Sequence, residues 1–192
     1  MSMLLSELQR DALQELMNIS MGQAANALAR LIDAKITLSI PKIVVVSASE
    51  FQQMFLTDQY WFTRQSFLGS VKGEVLTLLA RAGTETIGGL MDYALPLDDR
   101  SKEELLLELA NILAGACLNG FSTQLALHTK LSMPTMFNAE LRQADSFRWS
   151  STLLLEVEFQ LEGTAFDSRI VICLEQLSIE VLINKLNTLL ED

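Results

Sequence analysis

The 192-residue chain predicts an α+β fold, in which a mostly antiparallel sheet is accompanied by two long motif-bearing helices and shorter closing helices. Three observations predict it. Two stretches of more than 25 residues carry apolar side chains at spacings of three and four. Short runs rich in Val, Ile and Leu, bounded by Gly, Pro and charged turns, read as strands and hairpins. Sliding the chain on itself by 93 residues superimposes 11–41 on 104–134 with ten identities in 31 positions, against about two or three expected by chance. The chain is therefore expected to be one pseudo-two-fold domain, 1–192, made of repeats at about 5–95 and 100–191.

The first repeat opens with a helix over 5–33. KITLSI and KIVVVSA follow as extended pieces split at Pro41, SEFQQMF reads as a helical turn, and SFLGSVKGEVLTLLA as a hairpin around Lys72 and Gly73. A short helix from Gly83 to Tyr93 closes the half. LPLDDRSKEE, with Pro96, is the seam. The second repeat opens with a helix over 101–127, continues with strands at 151–161 and 164–174 turning at Glu162 and Gly163, and closes with a helix from Gln176 to Leu190. Two copies are too few for a solenoid.

Composition narrows the function. With 14 Lys plus Arg against 24 Asp plus Glu, the formal charge of -10 gives no reason to bind phosphate backbones, so nucleic acid is not an expected partner. Mean hydropathy is positive, but Glu, Asn, Gln or Arg interrupt the apolar stretches, and no membrane span is expected. MSMLLSELQRDAL lacks the basic region and long apolar core of a secretory signal. Cys117 and Cys173 read as buried, reduced thiols, and the expected compartment is the cytoplasm.

At 100° per residue, Asp11, Glu15, Asn18, Gly22, Asn26 and Ala29 share one side of the first helix, with Leu13, Leu16, Met17, Ala24, Leu28 and Leu31 opposite. The second helix repeats this with Glu104, Glu108, Asn111, Gly115, Asn119 and Ser122 against Leu106, Leu109, Ile112 and Phe121. Any amphipathic helix needs a solvated stripe. Solvation alone, however, is better served by Lys, Glu, Gln or Arg than by Asn, and it has no use for a glycine that costs about 1 kcal/mol relative to Ala. Keeping Asn and Gly in both copies asks for another cause, such as the close approach of another backbone.

Asp11-x3-Glu15-x2-Asn18-x22-Pro41, repeated as Glu104-x3-Glu108-x2-Asn111-x22-Pro134, resembles the signature of the CheC/CheX/FliY phosphatases of chemotaxis. LSELQRDALQELMNISMGQAANALARL is similar to the opening helix of CheC. Two motifs without a further domain favour CheC over CheX, which usually keeps one, and over the longer FliY. The sequence departs from the commoner Gly-Ala-Gly-His after the first Asn; here Ile19 is followed by Ser20-Met21-Gly22-Gln23, with Met21 expected at the flank of the stripe.

The resemblance implies a CheC-like fold and hydrolysis of the aspartyl phosphate of a CheY-type receiver. Asn18 and Asn111 would hold a water in line with the phosphoryl group, and Glu15 and Glu108 would pair with the receiver's active-site Lys. The receiver supplies its own Mg²⁺, so the phosphatase needs no metal or cofactor of its own. Asp11, Gly22, Asn26, Glu104, Gly115 and Asn119 are the expected partner-binding residues, and Pro41 and Pro134 structural motif positions. A CheD-type deamidase is a further possible partner, and a non-catalytic adaptor for phosphorylated receivers, or a structural part of a flagellar switch, the competing function.

The remaining features carry less. His128 stands alone, which excludes a poly-His metal site, and is expected to meet carbonyls at a helix end. No glycine-Lys-Ser/Thr loop supports nucleotide binding. The eight Met residues read as core filler, and Trp61 and Trp149 fall in loop-like stretches.

Overall fold

The computed structural model describes residues 5–45, 48–137 and 153–191. Its elements are α1 (Glu7–Ile32), β1 (Ile36–Leu38), β2 (Lys42–Val45), α2 (Ala48–Gln53), β3 (Tyr60–Gly69), β4 (Gly73–Ala80), α3 (Thr84–Leu90), α4 (Asp99–Gln124), β5 (Thr129–Leu131), β6 (Thr135–Met136), β7 (Leu153–Leu161), β8 (Asp167–Leu174) and α5 (Gln176–Glu191). The expected α+β class with an antiparallel sheet is present. Several elements differ in extent, α4 ending at Gln124 rather than 127 and β8 starting at Asp167 rather than Thr164. The central hairpin starts at Tyr60 rather than Ser66, and α3 ends at Leu90 because Asp92 takes a left-handed φ of 62°.

Both long helices start at side-chain caps. Ser6 and Gln9 form a reciprocal capping box, and Asp98 accepts from the Ser101 amide at 2.7 Å, which holds its carboxyl below the usual range. Each helix then buries one face. Leu13, Met17, Met21, Ala24 and Leu28 of α1, with Leu106, Leu109, Leu113, Cys117 and Phe121 of α4, enter a core completed by Phe67, Val75, Leu79, Leu155, Ile170 and Ile172 of the sheet. The two helices meet where the Cys117 Sγ lies 2.9 Å from the Met21 Sδ. Nearby, a Cβ built on Gly120 stands 2.9 Å from the Cα of Ser20, so this glycine allows the close approach of α1 and α4. The opposite sheet face carries a smaller cluster, Phe51 of α2 and Phe55 in the turn after it against Phe62, Leu76, Leu78, Val171 and Cys173.

The sheet runs β1-β7-β8-β4-β3-β5, with β2 added to β7 and β6 to β3. The order interlocks the repeats. Strands β1 and β2, which follow α1, pair with the second hairpin, whereas β5 and β6, which follow α4, pair with the first. Contacts at the two edges match. Ser39 N–H donates to the Glu158 carbonyl and its Oγ accepts from the Glu158 amide, both at 2.9 Å; Ser132 does the same to Ser66 at 2.8 and 2.9 Å. This gives the identical pair Ser39/Ser132 a shared structural role. The serines lock each post-helix strand to the opposite hairpin.

Several expectations are corrected by this packing. Met21 is 0% exposed, inside the α1–α4 contact rather than at the flank of the polar stripe. Leu31, expected on the apolar face, is 47% exposed because Leu28 and Ile32, four residues apart, face the core in the last turn and turn Leu31 away from it. Ser122 leaves the stripe: it is buried and shares a 2.7 Å hydrogen bond with Thr129. Trp61 lies in β3, half-buried, with the Arg81 guanidinium 3.8 Å above its ring; Trp149 falls outside the described residues. His128 bonds through its backbone, to Ser70, and not through its ring to the helix end. Helix α4 is long and apolar enough by composition to cross a membrane, contrary to the sequence reading, but 61% of the apolar window is buried within the fold. Both cysteines are buried, which pushes their thiols up and leaves them protonated.

Candidate functional site

The two motif helices carry their polar residues outward. Asp11, Glu15, Asn18 and Asn26 on α1, and Glu104, Glu108, Asn111 and Asn119 on α4, are exposed; Gly22 and Gly115 are partly covered. Within each pair Glu precedes Asn by three residues, which brings both side chains onto one helical face about 5–6 Å apart at Cβ. A carboxylate and a carboxamide in that arrangement offer a cation acceptor beside a group that both donates and accepts, on a backbone fixed by the helix.

Pro41 is buried and Pro134 partly so. The Pro41 carbonyl accepts from the Gln14 amide at 2.9 Å, tying the β1–β2 connection to the helical turn that holds Glu15. A Cβ added at Gly22 or Gly115 meets nothing within 4 Å. The fold itself therefore does not need a glycine at either position.

The two sites are unequal in their surroundings. No side-chain hydrogen bond involves Glu15 or Asn18 among the described residues. On α4, the Tyr93 hydroxyl donates to Glu108 Oε2 at 2.8 Å, and Gln65 Nε2 donates to Asn111 Oδ1 at 3.1 Å. Glu104 pairs with Arg100 at 3.1 Å, one turn back. Sequence periodicity did not single out Tyr93 or Gln65, since neither lies on a motif helix. It also passed over Ile40 and Met133, which directly precede the two motif prolines at the same repeat spacing and are 76% and 79% exposed. Their shared apolar character was the available signal, and Met133 is not core filler.

Both tyrosines of the chain donate to carboxylates, Tyr60 to Asp167 at 2.7 Å and Tyr93 to Glu108. Burial first, then these bonds and the adjacent negative charge, push each hydroxyl up to about 12. A phenol whose folded value lies above its unfolded value of about 10 contributes stability that is complete below pH 10 and lost as pH rises toward 12. Ultraviolet titration of the folded protein is expected to show no phenolate step near pH 10, with that step appearing on unfolding in denaturant. A folded-state step at 10 would contradict these two bonds. Among the described residues no group of three His, Cys, Asp or Glu is placed to hold a metal ion.

Residues 8–45, which span the first motif from Asp11 to Pro41, match the CheC-like family. Over its whole length the chain resembles the crystal structure of FliY from Thermotoga maritima, with a TM-score of 0.72, 17% identity, and 97% of this chain and 99% of that one covered. The chain is thus similar to the CheC/CheX/FliY proteins, in sequence over 8–45 and in fold over 97% of its length.

A flagellar motor switch phosphatase FliY from Bacillus subtilis (strain 168) is 30% identical over 87 residues, which is 45% of this chain and 23% of that protein. The aligned part is thus under a quarter of the relative's length. CheX in a CheX–CheY–BeF3–Mg²⁺ complex from Borrelia burgdorferi shares the fold at a TM-score of 0.56 and 16% identity, over 84% of this chain and 97% of that one. So does the FliM middle domain of H. pylori, at 0.63 and 11%, over 94% and 99%. The second motif of this chain, 104–134, lies outside the family match; its evidence is the internal repeat and the matching serine locks.

Proposed function

We propose that this chain is a cytoplasmic phosphatase of the aspartyl phosphate on a CheY-type receiver, ending a chemotaxis signal, and that its two repeats act as one domain presenting two motifs. The observation that carries the proposal is the exposed Glu/Asn pair, one turn apart, present on both α1 and α4. An aspartyl phosphate is an activated acyl phosphate, so the phosphatase has to add an oriented water and a docking register more than new covalent chemistry. Asn18 or Asn111 holds the water; its oxygen attacks phosphorus in line, the bond to the aspartyl oxygen breaks, and the carboxylate leaves with the electron pair. Inorganic phosphate and the free receiver result, with the water's proton passing to phosphate or solvent. Glu15 or Glu108 takes the receiver's Lys, Asp11, Asn26, Glu104 and Asn119 line the contact, and the Mg²⁺ belongs to the receiver substrate. Pro41 and Pro134 shape the strand connections beside the helices.

The FliM middle domain shares the fold, so architecture does not separate an enzyme from a docking module for receivers or a CheD-type deamidase. The paired Glu and Asn favour catalysis, because a purely docking face has no use for a water-holding amide one turn from a cation acceptor in both copies. The test is phosphate release from a panel of phosphorylated CheY-type receivers with and without the protein. Faster release from at least one supports the phosphatase; tight binding without acceleration of any supports the docking module instead. A net charge of -10 gives no long-range attraction to an acidic receiver, so the rate is expected to change little with added salt.

A further inference from the structure

The α4 motif differs from the α1 motif in having both of its side chains held from within the protein. Gln65 is 1% exposed in β3, and its Nε2 donates to both the Ser132 carbonyl and Asn111 Oδ1, each at 3.1 Å. The Ser132 carbonyl is an obligate acceptor, so it fixes which end of the Gln65 amide points that way. The same Nε2 then requires an acceptor from Asn111, which fixes the Asn111 carboxamide with its oxygen toward Gln65. Glu108 is fixed in the same manner by the Tyr93 hydroxyl on Oε2. Neither bond uses up its acceptor. An amide oxygen has two lone-pair sites and a carboxylate about four, so both groups keep capacity for a water and a cation.

The cost of this arrangement is visible in the core. Gln65 Oε1 is buried without a hydrogen-bond partner, an arrangement that ordinarily destabilises a fold. An apolar side chain facing α4 would avoid it. The repeat supplies the comparison: Ser66 and Glu158 make the matching bonds to Ser132 and Ser39, so the residue before each is equivalent, Gln65 in one hairpin and Val157 in the other. Valine has no amide to donate, and among the described residues Asn18 has no bond matching that of Asn111.

Resting on the phosphatase reading, we propose that Gln65 and Tyr93 are positioning residues that preorganise the α4 motif, making Asn111 and Glu108 the faster of the two sites. Neither residue touches the receiver's phosphoryl group; each acts by holding a motif side chain in one rotamer before the receiver docks, so the orientation is settled before the reaction.

The test isolates each motif. In an Asn18→Ala background only the α4 motif works, and adding Gln65→Leu is expected to lower kcat about tenfold with little change in KM. The loss is confined to that background; an equal loss added to Asn111→Ala is a general structural effect and overturns the proposal. Leucine keeps the volume and removes the unpartnered oxygen, and Tyr93→Phe, at a partly exposed position, repeats the test should the core variant fail to fold. If the wild type accelerates no receiver, the phosphatase reading itself falls. The positioning is then read by NMR, where the Asn111 side-chain amide is expected to be rigid, that of Asn18 averaged, and Gln65→Leu to abolish the difference; equal mobility in the wild type refutes it.

Discussion

Replacing both Asn18 and Asn111 by Ala is expected to abolish the accelerated loss of phosphate from a cognate receiver, returning it to the receiver's own decay. The effect should exceed that of any other pair of surface changes, because only the carboxamides are asked to hold the attacking water, a role whose removal commonly costs two to three orders of magnitude where a single group positions the reactive species. Both side chains are exposed, so the double variant should fold, with a slightly lower Tm because Asn111→Ala leaves one N–H of buried Gln65 without its acceptor. Receiver binding should persist, since Glu15 and Glu108 remain. Decay measured at saturating receiver decides the matter: equal rates for wild type and double variant would remove the catalytic claim. Residual activity in one single variant but not the other ranks the two motifs.

Changing Gly22 and Gly115 to Ala is expected to move stability and rate in opposite directions. Each lies in a helix interior where an added Cβ meets nothing within 4 Å, so Ala should stabilise by about 1 kcal/mol per site. For a chain of this length the pair should raise Tm by about 4–8 °C. The same two methyl groups stand where the receiver is proposed to come close, and KM for the phosphorylated receiver should rise at least about tenfold, the consequence of overfilling a packed contact by one methyl group. Gly120→Ala is the contrast. Its Cβ would crowd Ser20, and it should lower Tm while acting on no receiver contact. Raised stability with unaltered kinetics in the Gly22→Ala, Gly115→Ala protein would show that no partner approaches those positions.

Much of this was legible from local signals. Helix α1 and helix α4 follow from apolar spacing, their caps from Ser6 and Asp98, and the second hairpin from alternating residues around Glu162 and Gly163. The exposed Glu/Asn pairs were legible too, because a helix carries residues three apart to the same face whatever it packs against. The position of Met21 was not. Its place on the helical wheel borders the stripe, and only the approach of α4, permitted by Gly120, turns that border into an interior. Strands β5 and β6 are too short to show a period and exist through pairing with β3. Trp61 reads as loop in the sequence because its strand exists through pairing with β4, where its partner is Leu79.

Read along its length, the chain carries one motif twice, a Glu and an Asn three residues apart on each of two long helices, because helical period and internal identity need no tertiary partner to be seen. The tertiary structure decided that the repeats exchange edge strands, and that the two motifs are inequivalent. Identical residues in the repeats behave differently because their neighbours come from the opposite half: β3 offers Gln65 to Asn111, where β7 has Val157 at the matching position. Hydrogen bonding is short-ranged and directional, so a difference of one residue across a strand crossing separates two sites that the sequence writes almost identically.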